Sequence, residues 1–144
     1  MNRVARVFLI VVSIFNSFAG LLCGLLLIAE PDGRLLQMGA LLPVVQTFPL
    51  AGIFFRDFFW LGVAMLLALG LPNLVAAVML FRNSNKQYVV TLFAGVVLVL
   101  WCSFEFIYMF NIAAVGYFVV GVLSILSSAL LARPQAQARA EQAY

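Results

Sequence analysis

Residues 88–131 form one apolar run that carries a single charged side chain, Glu105. As one helix, at about 1.5 Å per residue, it would be roughly 65 Å long, about twice the hydrocarbon thickness of a bilayer. The run must therefore fold back on itself. Asn111 is the best turn former near its centre, so a reversal is expected around residues 110–111. That divides the run into spans at about 88–109 and 112–132. Two further apolar stretches, about 7–29 and 58–81, also reach the roughly 20 residues a spanning helix needs.

Composition agrees. Of 144 residues, 66% are hydrophobic and 9% charged, with mean hydropathy +1.16. Soluble domains are roughly half apolar and a quarter charged. The expected fold is an all-α integral membrane protein, one four-transmembrane-helix bundle over residues 1–144. The chain has no histidine, the commonest metal ligand and the usual general base near neutral pH. Cys23 and Cys102 form no CxxC and are expected to behave as small apolar side chains rather than a disulfide. No catalytic residue, metal or cofactor is expected. The net charge of +3 rests on few charges, so nucleic acid is not an expected partner.

Lysine and arginine placement sets orientation. Arg3 and Arg6, then Arg82 and Lys86, then Arg133 and Arg139 fall on one side. Arg34 and Arg56 fall on the other, offset by Glu30, Asp32 and Asp57. Both termini are expected to be cytoplasmic in a multi-pass protein of the cell (inner or plasma) membrane. The first span continues to Ala29, too long for a signal-peptide core, so it is read as uncleaved. The connection over 30–57 then lies outside. In it, EPDG (30–33) signals a turn, and RLLQMGALL (34–42) suggests a short interfacial helix. Pro43, Pro49 and Gly52 are expected to break the rest of the connection. The polar tail after Pro134 reads as a short frayed end.

Lipid gives no hydrophobic drive for helix association, so small residues must let helices approach. Ser13, Asn16, Ser17, Gly20 and Gly24 share one face of the first span, and Ala114, Gly121, Ser124 and Ser128 one face of the fourth. The Gly20/Gly24 and Gly121/Ser124/Ser128 faces are packing seams that could also join copies of the chain. Pro72 in GLPN predicts a kink near Ala68. Asn16 and Asn73 fall near the middle of their spans and are expected to meet. Glu105 lies one turn from the outer end of the third span, where Arg34 or Arg56 could pair with it. Glu105, Arg56, Arg34, Asn16 and Asn73 are the candidate polar or ligand positions.

FFRDFFW (54–60) opens the second span. Asp57 suits the helix cap, accepting an N–H from Phe59 or Trp60, and the aromatic residues suit the membrane boundary. Arg56 either snorkels to headgroups or turns toward Glu105. Pro31-Asp32-Gly33 after the first span and Phe55-Arg56-Asp57-Phe58 before the second give the chain a resemblance. It resembles small four-span bacterial membrane proteins that pair a PDG turn with an aromatic-x-Asp-aromatic element. Leu61-Gly62 stands where that family often has Pro-Gly. The resemblance implies the four-span architecture and carries no activity.

No nucleophile–base pair, metal cluster or phosphate-cradling loop is visible, so an enzyme is not expected. The first expectation is a non-enzymatic accessory or structural protein. The alternatives are a small oligomeric transporter or channel, or a lipid-binding protein with the 30–57 loop as lid. Membrane lipids are the expected partners, with a homo-oligomer through the small-residue faces.

Overall fold

The computed structural model describes residues 3–48, 50–108 and 111–141, with side chains to residue 132. It is all-helical among those residues. Helix α1 (Arg3–Ala29) leads into a connection containing a 3₁₀ turn (Gly39–Leu41) and two one-turn helices, α2 (Leu42–Val45) and α3 (Ala51–Phe54). The second span comprises α4 (Phe59–Met65), a π turn (Leu66–Gly70) and α5 (Leu71–Phe81). Helices α6 (Gln87–Tyr108) and α7 (Ile112–Glu141) complete the chain order. Four helical segments, Arg3–Ala29, Phe59–Phe81, Gln87–Tyr108 and Ile112–Ala132, are long and apolar enough to cross a membrane. The long first connection packs on α6 at Tyr108, which marks one end of the bundle, here the loop end; Leu9, Leu80, Tyr88 and Leu131 meet toward the other, here the termini end.

The spans are sorted in the reverse of a soluble helix. On α1, Ser13 (4% exposed) and Asn16 (3%) are buried, while Phe15 (60%) and Phe18 (67%) face out. This suits a hydrocarbon surround, where large apolar side chains gain nothing from burial and close approach favours small ones. Gly20 and Gly24 pack on the second span: an added Cβ at Gly20 would lie 2.5 Å from Gly70 N, and one at Gly24 would lie 2.9 Å from Gly62 O. A Cβ at Gly121 would lie 3.4 Å from Gly95 O, and Ser124 and Ser128 are buried. Both small-residue faces therefore pack against other spans of the same chain.

Polar side chains stitch the same seams. Ser128 Oγ donates to Thr91 Oγ1 at 2.8 Å, joining α7 to α6 in a buried position. Such bonds in membrane helices contribute about 0.6 kcal/mol on average. We expect Ser128→Ala to lower stability by about that amount in a denaturant titration in detergent, with the fold kept. Arg6 Nη2 donates to the Leu80 carbonyl at 2.9 Å, a cation at the carboxyl end of the second span.

Pro72 does not break its helix. The missing N–H and the ring's crowding are absorbed in the π turn Leu66–Gly70, where the Leu71 N–H reaches back to Leu66 O. Asn73 Nδ2 donates to Leu69 O at 2.8 Å within the same segment. The expected Asn16–Asn73 pairing is not made: Asn73 serves its own helix, and Asn16 Nδ2 has no hydrogen-bond partner.

The connection departs from expectation. Residues 34–42 are not one interfacial helix; Arg34 to Gln37 turns, and Gln37 takes a positive φ of 55°. Pro43 sits in the first turn of α2, just after Leu42, instead of breaking the chain there, because a proline fits the first helical turn, where its N–H is not needed. The tail stays helical past Pro134 to Glu141, in keeping with its Ala, Gln, Arg and Glu content. The expected break at Pro49 and the reversal at Phe110 lie outside the described residues, as do the side chains of Arg133 and Arg139.

Candidate functional site

The loop end of the bundle is closed by the 30–57 connection. Val45 and Phe48 are buried in a core with Leu27, Phe58 and Leu61. The Phe48 ring lies 5.1 Å from both Phe104 and Tyr108 of α6, fixing the connection to the third span through aromatic contacts. Two sequence motifs meet here. The Phe58 N–H donates to the Pro31 carbonyl at 2.8 Å. Gly33, with φ +74°, leaves room for the Phe58 ring, which a Cβ there would meet at 2.8 Å. The PDG turn and the aromatic element are thus one joint, and Phe58 is a buried plug rather than a boundary aromatic. Asp57 Oδ1 accepts the Phe59 N–H at 2.9 Å, one residue earlier than a regular cap, since Phe58 holds the cap position.

Both candidate cations turn away from the bundle. Arg34 Nε pairs with Asp32 Oδ2 at 2.6 Å on the surface. Exposed Arg56 donates from Nε to Gly52 O at 2.7 Å, capping α3. Neither reaches Glu105, and the reason is proximity along the chain: each finds an acceptor within four residues. Glu105 is held by donors instead. Its Oε1 accepts from Trp101 Nε1 at 2.6 Å and its Oε2 from Asn111 Nδ2 at 3.5 Å. Asn111 Oδ1 also accepts the Ala114 N–H at 2.8 Å, capping α7. Trp101 and Glu105 stand four residues apart on α6, so their meeting is a helix-face contact that the spacing in WCSFE already contains.

Glu105 lines a cavity of about 330 Å³ under the connection. Its walls include Asn16, Cys23, Trp101, Cys102 and Tyr117, with Leu41 of the connection as part of its roof. No lysine or arginine lines it among the described residues. Cys23 and Cys102 both face this space as free thiols. Toward the termini end the bundle is closed by a core of Leu9, Leu80, Tyr88 and Leu131.

A second recess of about 460 Å³ opens on the flank of the bundle between α1 and α7. Val11, Val12, Phe15, Gly116 and Val120 make it apolar. This seam is the least closely packed of the four between neighbouring spans. The groove and the cavity share Asn16, Ala113 and Tyr117. Asn16, 97% buried, brings to that junction an amide nitrogen without a partner. Asn73, Arg34 and Arg56 take no part in either space. Trp101, Tyr117 and Gly116 do, and no local signal marks the last two, since the groove arises only when α7 is laid against α1. No family model, curated protein or solved structure matches the chain.

Proposed function

We propose that the chain is a non-enzymatic membrane protein that binds an amphiphile: its apolar part lies in the α1–α7 groove and its polar part in the cavity under the connection. The 30–57 connection acts as the lid, both termini are cytoplasmic, and the cavity opens to the outer leaflet of a bacterial inner membrane. The observation that carries this reading is that an open apolar groove adjoins a mostly apolar cavity holding a few polar groups, Glu105 among them, the two sharing Asn16, Ala113 and Tyr117 as lining. Ligand sites are typically mostly apolar clefts with a few placed polar groups. A channel is less favoured, because the apolar core at the termini end interrupts any polar path through one chain.

Gly116 offers a clean test. A Cβ there meets nothing within 4 Å, so a larger side chain starts into the open groove rather than into a neighbouring helix. We expect Gly116→Phe to keep the wild-type melting temperature in detergent and to lose lipid or amphiphile that the wild type carries through native mass spectrometry. Equal retention by both proteins, or no retained molecule in the wild type, would overturn the reading.

A further inference from the structure

We infer that the polar part of the bound amphiphile is a cation, a protonated amine or quaternary ammonium, seated against the Glu105 carboxylate. This rests on the amphiphile reading and adds the chemical class of the head group. Glu105 is the one charged side chain among the described residues lining the cavity. Its oxygens accept from two neutral donors, the Trp101 indole and the Asn111 amide, which hold the carboxylate in place without neutralising it. The chain's own cations on this end are engaged elsewhere, Arg34 with Asp32 and Arg56 with Gly52 O. A half-buried carboxylate without a countercharge favours a cationic guest and repels an anionic one.

The walls agree. Trp101 and Tyr117 line the space with aromatic rings, a side-chain type that attracts ammonium groups when water is excluded. A phosphate or sulfate head would meet no arginine or lysine here, and those are the side chains that recognise such anions. At the neck, the unpartnered Asn16 Nδ2 requires an acceptor, since a buried donor left unmade is costly. The ligand therefore carries an amine at its head, an oxygen acceptor where it passes Asn16, and an apolar tail between α1 and α7.

The test uses the full chain in dodecyl maltoside, whose head group carries neither charge nor amine. Three probes of equal alkyl length, bearing a trimethylammonium, a hydroxyl or a sulfate head, are titrated against tryptophan fluorescence. We expect the ammonium probe to bind at least about tenfold more tightly than the sulfate, the scale of one charge-assisted contact with aromatic support. Glu105→Gln is expected to remove that preference while leaving the hydroxyl probe unchanged, and Glu105→Asp to restore part of it. A carboxylate that merely anchors Trp101 would weaken all three probes together in Glu105→Gln. Should Glu105→Gln not fold, the wild-type ranking decides alone. Equal binding of the three heads, or preference for sulfate, overturns the cation assignment and leaves the amphiphile reading standing. Absence of binding by every probe, or binding that Gly116→Phe does not change, overturns the amphiphile reading itself.

Discussion

Gly20→Val is expected to separate α1 from the second span and to unfold the bundle at temperatures where the wild type is intact. The geometry leaves no milder outcome. A Cβ at Gly20 would lie 2.5 Å from Gly70 N and 2.9 Å from both Gly70 Cα and Leu69 C. All three are backbone atoms, so no rotamer change makes room. Overpacking a well-filled core typically costs about 1–3 kcal/mol, where side chains can shift. Here whole helices must move apart, and with them the neighbouring contact of Gly24 against Gly62 O. The cost should exceed the upper end of that range, against a total stability on the order of 5–15 kcal/mol for a folded domain. Helix content and melting temperature in detergent provide the measurement. Gly116→Val is the matched control, since its Cβ enters open space. If Gly20→Val melted with the wild type, α1 and the second span could not pack through these glycines. Gly20 also lines the cavity, so loss of the seam should abolish amphiphile retention as well.

The same seam shows how far local reading reaches. The four spans are legible because length and hydropathy are properties of consecutive residues: the expected 58–81 and 112–132 correspond to Phe59–Phe81 and Ile112–Ala132. The small-residue face of α1 is legible for the same reason, through its helical spacing. Its partner is not, because Gly62 and Gly70 become one surface only after the π turn sets the twist between α4 and α5. Arg34 and Arg56 show the opposite error. Predicted depth matches both with distant Glu105, yet each is satisfied within four residues by Asp32 or Gly52. A long flexible cation near a turn meets local acceptors before any distant one. Glu105 itself stands out in the sequence as the acid within a span, while the cavity around it draws on all four spans and the connection and so leaves no trace in any one segment.

Loss of the Phe58 plug should loosen the 30–57 connection without dissolving the bundle. Phe58 is fully buried among Leu27, Val45, Phe48 and Leu61, and truncating a buried phenylalanine to alanine costs roughly 3–5 kcal/mol. That loss is shared between the connection, through Val45 and Phe48, and the loop end of the α1–α4 seam, through Leu27 and Leu61, while the Gly20–Gly70 and Gly95–Gly121 contacts lie outside it. We therefore expect Phe58→Ala to raise protease cleavage within residues 30–57 while the spans remain protected. Retention of the amphiphile should fall too, although Phe58 does not line the cavity, since Leu41 in the cavity roof is held through the same core. Gly33 supplies the cross-check. Its φ of +74° disfavours any side chain, and a Cβ would press on the Phe58 ring at 2.8 Å. Gly33→Ala thus carries two penalties, of which Phe58→Ala relieves only the steric one. The double variant should be more stable than the sum of the two losses predicts, by the energy of that contact. Strict additivity would mean that the PDG turn and the aromatic element act independently.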